Sequence, residues 1–268
     1  MSNALEKTIS SDSPRIFITG ASSGIGGALA RHYARRGTTL GLAARRGDRL
    51  SELAAELAAA GATGVLTYPL DVTDAGALQA AGDDFMTRAG VPDIVVANAG
   101  VSVGTLTECR EDLATIRRVF ETNVYGLAAT FAPFVAPMRQ RGQGRLTGIA
   151  SVAGIRGLPG AEAYSASKAA VIAYLESLRV ELFGSGVKVV TIAPGYIATP
   201  MTAHNPYPMP FMLPVDEAAR RFARAIERGT SYTVIPWQMG IAAKGLRLLP
   251  NWLYDRLFAK APHKPRAH

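Results

Sequence analysis

Apolar and polar positions divide the chain into two kinds of segment. Short, unbroken apolar runs, such as IVVA at residues 94–97, are typical of strands that are covered on both faces of a parallel sheet. Runs of this kind predict seven strands, at residues 15–19, 38–43, 64–70, 93–97, 145–150, 187–193 and 232–236.

Longer stretches with helical spacing lie between these runs. They predict helices at residues 25–36, 49–60, 75–88, 111–141, 164–183 and 215–228, of which 111–141 is expected to be broken. Strands that alternate with helices indicate an α/β fold, doubly wound, with a mainly parallel seven-stranded sheet and helices on both faces. We expect one such domain over residues 15–238, preceded by a flexible tail over residues 1–14.

Residues 200–214, PMTAHNPYPMPFMLP, interrupt this alternation. Five prolines in fifteen residues remove backbone donors and block regular structure. A long apolar loop is either a packed connector or a lid over a substrate. We favour the lid, because the loop begins just after the carboxyl end of the sixth predicted strand, where open α/β sheets bind their ligands.

Composition narrows the class of protein. The chain has 268 residues, of which 48% are hydrophobic and 19% charged, as in globular domains. No apolar run approaches the length of a membrane span, and the N-terminus lacks the apolar core of a signal peptide, so we expect a cytoplasmic protein. Cys109 is the only cysteine, which excludes an intrachain disulfide.

A glycine-rich turn, Gly-Ala-Ser-Ser-Gly-Ile-Gly at residues 20–26, joins the first predicted strand to the first predicted helix. Glycine lets a pyrophosphate approach the main chain, and the helix N-terminus presents free N–H groups to the anion. The turn therefore predicts a dinucleotide site. The residues expected to contact the cofactor here are Gly20, Ser22, Ser23, Gly24, Ile25 and Gly26.

This turn and further motifs, in the same order, resemble the short-chain dehydrogenase/reductase family. The motifs are TGASSGIG at 19–26, NAG at 98–100, Asn123, Ser151, YSASK at 164–168 and PGYIAT at 194–199. The resemblance implies a Rossmann fold and an oxidoreductase that acts on a carbonyl or an alcohol. It does not extend to residues 200–214 or to the C-terminus.

The resemblance also implies further cofactor contacts at the carboxyl ends of the strands. Asp71 and Val72 are expected to border the adenine. The NAG motif is expected to pass beneath the cofactor, and the PGYIAT loop to border the nicotinamide. The residues concerned are Asn98, Ala99, Gly100, Pro194, Gly195, Ile197 and Thr199.

The end of the second strand indicates which dinucleotide binds. An enzyme for NAD usually places an acid there to bind the ribose 2′-hydroxyl. Here Ala44 occupies that position and Arg45 follows it, so that a guanidinium is available for a 2′-phosphate. We therefore predict NADP, with Arg46 as a second candidate cation. The alternative is that both arginines lie in solvent.

Tyr164 and Lys168 are four residues apart and share one face of a predicted helix. An ammonium beside a tyrosine lowers the phenol pKa, which suits a proton donor and acceptor. Ser151, at the end of the fifth strand, can hold the substrate oxygen. The resemblance implies that Lys168 also binds the nicotinamide ribose and that Asn123 completes the catalytic group.

The predicted substrate side is apolar. The candidate substrate contacts are Ile155, Leu158, Tyr207, Met209 and Phe211, which favour a bulky apolar ketone, aldehyde or secondary alcohol. Arg156 is the nearest candidate for a carboxylate anchor. The four histidines and Cys109 have no metal-ligand spacing, so we predict no metal, and we find no nucleic-acid motif.

Residues 239–268 form a basic extension with six Lys or Arg and one Asp. Leu249, Trp252, Leu253 and Leu257 recur at helical spacing, which predicts an amphipathic helix. Such a helix packs on its own chain or on a partner subunit, or it lies on an anionic membrane. We rank packing first. The resemblance implies a homodimer or homotetramer, formed through the helices at 111–141 and 164–183.

Two other functions remain as alternatives. A sensor could bind NADP(H) without turnover, although it would not need the intact Ser, Tyr, Lys and Asn set. An epimerase or dehydratase of a related branch usually has a larger substrate domain, for which the chain leaves little room.

Overall fold

The computed structural model of this chain describes residues 13–203 and 205–266. The predicted N-terminal tail over residues 1–14 lies almost entirely outside this range, as do His204 and His268. Within the described residues, seven parallel strands form one sheet in the order β3-β2-β1-β4-β5-β6-β9. The predicted fold class is confirmed.

The strand bounds agree with the apolar runs to within two residues. The strands are β1 (Arg15–Thr19), β2 (Thr39–Ala44), β3 (Gly64–Pro69), β4 (Ile94–Ala97), β5 (Gly144–Ile149), β6 (Val187–Pro194), β7 (Ile197–Ala198), β8 (Leu213–Pro214) and β9 (Tyr232–Ile235). The sequence did not predict β7 and β8, which pair with each other at the two ends of the proline-rich loop.

The helices cover both faces of the sheet. They are α1 (Gly24–Ala34), α2 (Gly47–Ala59), α3 (Ala75–Ala89), α4 (Asp112–Phe120), α5 (Gly126–Arg141), α6 (Glu162–Glu181), α7 (Val215–Arg228), α8 (Trp237–Leu248) and α9 (Asn251–Phe258). No helix of the described residues combines the length and the low polarity that crossing a bilayer requires.

Alternate residues of each strand face opposite sides of the sheet, and this separates two cores. Ile16 and Ile18 of β1 pack with α1, α2 and α7, whereas Phe17 packs with α3, α5 and α6. All three side chains are at most 1% exposed. Burial on both faces explains why the strands read as unbroken apolar runs.

The helix predicted at residues 111–141 is interrupted by a single π-helical turn, Glu121–Tyr125, between α4 and α5. The extension is also divided, because α8 ends before Pro250 and α9 begins after it. The boundary expected between residues 238 and 239 falls inside α8. Met239 packs so close to the sheet that a Cβ at Gly195 would lie 2.6 Å from its Cγ.

Candidate active site

A cavity of about 340 Å³ opens at the carboxyl ends of the central strands. Every residue predicted to contact the cofactor lines it, apart from Gly26. Ser151, Tyr164 and Lys168 line the same cavity, so the structure brings these three predicted catalytic residues together with the predicted cofactor residues, whereas Asn123 does not line it. The carboxyl ends of β2, β3, β4, β5 and β6 build the site together with the glycine turn after β1, because parallel strands end at one edge of the sheet.

Steric contacts require glycine in the turn after β1. Gly20 has φ +67°, and a Cβ there would lie 2.8 Å from Ala99 Cα. A Cβ at Gly26 would lie 2.5 Å from the Gly20 oxygen, so Gly26 packs the turn rather than lining the cavity. Asn98 Nδ2 donates to the carbonyl oxygens of Thr19 and Gly20, at 3.0 and 3.2 Å, and fixes the turn against β4.

The N-terminus of α1 faces this cavity, and no side chain of the described residues caps its first N–H groups. Ser23 precedes the helix, and its side chain does not cap it. The first N–H groups of α1 are therefore available to an anion. Together with the close backbone approach that the glycines allow, this arrangement fits the pyrophosphate of a nicotinamide dinucleotide.

Two arginines at the end of β2 make the adjacent part of the cavity positive. Arg46 Nη2 donates to Ser22 Oγ at 3.0 Å and to Ser23 Oγ at 2.8 Å. Arg45 has a side chain that is 70% exposed, with Nη1 3.8 Å from Asp71 Oδ2. Both guanidiniums therefore lie at the cavity wall. The last residue of β2 is Ala44, so β2 ends without an acidic side chain.

Tyr164, Lys168 and Ser151 meet at the carboxyl end of β5. Tyr164 and Lys168 lie on α6, with Lys168 Nζ 5.9 Å from the centre of the Tyr164 ring. Ser151 follows β5 directly, and its Oγ accepts from the Ala153 N–H at 3.1 Å. The Ser151 hydroxyl also forms a hydrogen bond with Tyr164 that lowers the phenol pKa.

The pKa values of this group differ from the expectation that Lys168 lowers the pKa of Tyr164. Lys168 Nζ donates to the Ile149 carbonyl oxygen at 2.7 Å, and burial lowers its own pKa to about 8. Burial raises the pKa of Tyr164 more than the Ser151 hydrogen bond lowers it. Desolvation dominates because Lys168 is buried and Tyr164 is partly buried at the cavity wall. The phenol is therefore protonated at neutral pH and suited to donate a proton.

Asn123 lies in the π-helical turn and is 1% exposed. Its Nδ2 donates to the Val101 carbonyl oxygen and to Ser167 Oγ, both at 3.0 Å, while its Oδ1 accepts from the Val101 N–H at 2.8 Å. Asn123 thus joins the loop after β4 to α6, beside Lys168. A Cβ at Gly100, between the two side chains, would lie 3.2 Å from Asn123 Oδ1 and 3.6 Å from Lys168 Nζ.

The five residues predicted to contact substrate do not line this cavity. Phe211 is 54% exposed and has φ +57°, so its side chain lies largely in solvent. The Tyr207 ring centre lies 6.3 Å from that of Tyr196, and burial raises the pKa of Tyr207, with further contributions from Tyr196 and Tyr164. The loop residues that do line the cavity are Pro200, Met201 and Thr202.

The C-terminal extension packs on the loop before α6. Tyr254 of α9 is buried and donates to the Gly157 carbonyl oxygen at 2.6 Å. The Arg156 guanidinium lies 4.2 Å from the centre of the Tyr254 ring, and its Nη2 donates to Asn251 Oδ1 at 3.1 Å. Arg156, which the sequence left as the nearest candidate for a carboxylate anchor, therefore contacts α9 instead.

No sequence motif pointed to Lys264, which the fold brings close to Tyr164. Its Nζ lies 5.6 Å from the centre of the Tyr164 ring. The two residues are a hundred positions apart, and no local pattern relates them. Among the residues that the structure describes, no group of three or more His, Cys, Asp or Glu side chains is arranged to hold a metal ion.

Comparison with known proteins identifies the family. The sequence pattern of the family described as short chain dehydrogenase matches residues 14–208. The chain belongs to the short-chain dehydrogenase/reductase family. An uncharacterized oxidoreductase of Myxococcus xanthus is 43% identical over 238 residues, which are 89% of this chain and 93% of that protein.

Two other relatives of this short-chain dehydrogenase/reductase have named activities. 11-beta-hydroxysteroid dehydrogenase A of Sesamum indicum is 31% identical over 93% of this chain and 77% of its own. The alcohol dehydrogenase of the archaeon Thermococcus sibiricus, solved with 5-hydroxy-NADP, superposes with a TM-score of 0.74 at 28% identity, covering 84% of this chain and 96% of its own. The protein is therefore an oxidoreductase of alcohols or carbonyls that uses a nicotinamide cofactor.

Proposed function

We propose that this enzyme is an NADP(H)-dependent carbonyl reductase, or the reverse alcohol dehydrogenase. The observation that carries the proposal is the pair Arg45 and Arg46 at the end of β2, where Ala44 replaces an acid and Arg46 binds the turn serines. Two guanidiniums favour a 2′-phosphate, which an acid would repel. The 5-hydroxy-NADP bound by the Thermococcus sibiricus enzyme supports the same choice.

Different residues of the cavity bind different parts of the cofactor in this proposal. The glycine turn and α1 hold the pyrophosphate, Asp71 and Val72 border the adenine, and Pro194, Gly195, Ile197 and Thr199 border the nicotinamide. When bound, the nicotinamide supplies or accepts the hydride. Asn98, Ala99 and Gly100 form the floor beneath it.

In this proposal, Tyr164 moves the proton. Its hydroxyl donates to the carbonyl oxygen during reduction and accepts from the alcohol during oxidation. Ser151, which is bonded to the phenol, orients the substrate oxygen. Lys168 binds the cofactor ribose and, while protonated, favours negative charge near the phenol. Asn123 positions the loop at Val101 and the neighbouring turn of α6.

We further propose a substrate with a bulky apolar body. Ile155 and Leu158 belong to the loop before α6, and Tyr207, Met209 and Phe211 belong to the proline-rich loop whose first residues, Pro200, Met201 and Thr202, line the cavity. The relative named 11-beta-hydroxysteroid dehydrogenase A supports a substrate of this kind.

A panel of ketones, aldehydes and alcohols, followed at the nicotinamide absorbance, tests the proposal. We expect turnover with NADPH, a loss of at least a thousandfold in kcat for Tyr164→Phe, and little change for Tyr232→Phe on the exposed edge of β9. NADPH binding without turnover of any compound would instead support the sensor alternative.

We propose that the enzyme is a cytoplasmic homodimer or homotetramer. Apolar side chains are exposed along the predicted pairing helices, with Leu113 at 55%, Tyr125 at 51% and Val180 at 63%. Sedimentation velocity, with Val180→Asp as the disrupting variant, tests this assembly.

The extension offers a weaker proposal of membrane contact. Its α9 packs on its own chain through Tyr254, yet Trp252 and Leu257 remain 70% and 60% exposed beside basic residues. Pelleting with anionic vesicles, which Trp252→Ser should abolish, tests peripheral contact.

A further inference from the structure

The last described residues of the chain, 261–266, return to the active site, and we name them the C-terminal strap. The strap passes between the loop after β4 and the loop before α6. The Gly104 N–H donates to the Pro265 carbonyl oxygen at 2.9 Å. A Cβ at Gly104 would lie 2.0 Å from the Lys264 carbonyl oxygen, and one at Gly160 would lie 2.6 Å from the His263 ring. Both crossings therefore depend on glycine.

An ion pair anchors the end of the strap. Arg266 Nε donates to Asp112 Oδ2 at 2.8 Å, and its Nη2 donates to Glu111 Oε1 at 2.9 Å. Asp112 is only 2% exposed and also accepts from the Leu106 N–H at 2.8 Å. A charge-assisted, partly buried pair of this kind fixes the strap against the start of α4.

The strap carries Lys264 to the Tyr164 ring, at 5.6 Å from its centre. The Lys264 ammonium donates to Ser102 Oγ at 2.6 Å, and Ser102 is the neighbour of Val101, which lines the cavity. Within residues 13–203 and 205–266, Lys264 forms no ion pair with an acidic side chain, and the two carboxylates that the strap contacts, Glu111 and Asp112, are bound by Arg266. Burial lowers the pKa of Lys264 to about 8.

A partly buried ammonium has three donors and is costly to leave without an anion. Ser102 accepts one of them. Lys264 does not itself line the cavity, but its Nζ lies 5.6 Å from the centre of the Tyr164 ring, so a group that binds the amine would lie beside the proposed proton donor. A partly buried ammonium in this position suits an anionic group on a substrate.

We propose that Lys264 is a specificity-determining residue that binds a carboxylate on the substrate. The inference rests on the proposed function and narrows it to hydroxy or keto acids with an apolar body. Lys264 takes the role for which the sequence offered Arg156, since α9 already engages Arg156.

Ligand binding to the full-length protein tests this without requiring turnover. With NADP present in saturating amounts, calorimetry compares octanoate with octanamide, which has the same chain and no charge. We expect octanoate to bind at least tenfold more tightly than octanamide. Lys264→Met should weaken octanoate binding at least tenfold and change octanamide binding less than twofold.

Lys260→Met is the matched control, because Lys260 is an exposed lysine near the same end of the chain. It should leave both affinities unchanged. The proposal is overturned if wild type and Lys264→Met bind octanoate with equal affinity, or if the variant loses affinity for octanoate and octanamide by the same factor. It is also overturned if octanoate does not bind to wild type.

Turnover then separates this proposal from the proposed function. Apolar keto acids and their methyl esters are compared as substrates, and Lys264→Met should raise KM at least tenfold for the acids alone. Reduction of acids and esters that is insensitive to the variant would overturn the role of Lys264 and leave the reductase intact. If the protein turns over no substrate but still binds octanoate more tightly than octanamide through Lys264, the proposed reductase activity is wrong and the Lys264 site stands.

Discussion

Lys168 Nζ donates a hydrogen bond of 2.7 Å to the carbonyl oxygen of Ile149, the last residue of β5. The bond ties α6, which carries Lys168, to the carboxyl end of β5. It also gives the amine a neutral partner rather than an anion, so that desolvation lowers the lysine pKa to about 8.

This pKa predicts a pH dependence. Below pH 8 Lys168 is charged, and above it the amine is neutral, while Tyr164 stays protonated because burial raises its pKa. We therefore expect kcat/KM for carbonyl reduction to fall as the pH rises through about 8. In Lys168→Arg, whose guanidinium stays charged, the decline should move above pH 9 at a lower maximal rate. If kcat/KM of Lys168→Arg fell at the same pH as that of wild type, the fall would be due to the titration of another group.

Charge reversal at Arg45 should change cofactor preference. A hydrogen bond to a charged group contributes about 1.5–3 kcal/mol, so Arg45→Glu should lower the NADPH/NADH ratio of kcat/KM roughly 10- to 150-fold. Arg49→Glu is the matched control, since Arg49 is an exposed arginine on α2 that pairs with Glu52 and does not line the cavity. Equal ratios in wild type and Arg45→Glu would refute the assignment of NADP to this arginine.

Asn123 should contribute to stability as well as to activity. Asn123→Ala leaves the Val101 carbonyl and N–H without their side-chain partner, which costs about 1–3 kcal/mol. Ser167→Ala removes the Asn123–Ser167 bond and the bond from Ser167 Oγ to the Tyr164 carbonyl oxygen, but it leaves both Val101 groups paired with Asn123 and should cost about 0.5–1.5 kcal/mol. Thermal unfolding of both variants measures the difference. The role of Asn123 as the link would be wrong if Ser167→Ala were the more destabilised.

Gly104→Ala should displace the C-terminal strap, because the new Cβ would overlap the Lys264 backbone. We expect faster amide hydrogen exchange over residues 261–266 and earlier tryptic cleavage after Lys260. Gly157→Ala is the control, since a Cβ there would meet no atom within 4 Å. Unchanged exchange in Gly104→Ala would mean that the strap does not occupy this crossing in solution.

The sequence was informative wherever the structure depends on near neighbours. An unbroken apolar run such as IVVA predicts a strand covered on both faces, and β4 is such a strand. The turn at Gly20 and Gly24 was predictable because both residues adopt positive φ, which disfavours other residue types. The spacing of Tyr164 and Lys168 was sufficient to place them on one helix.

By itself, then, the sequence determined the α/β alternation, the glycine turn and the family. Only the tertiary structure decided that Lys168 bonds to Ile149, that Arg156 is held by α9, and that Lys264 lies beside Tyr164. The physical reason is that periodicity and turn chemistry act over a few residues, whereas desolvation and ion pairing depend on which distant segments pack together. Arg266 and Asp112 are 154 positions apart, and no local pattern relates them.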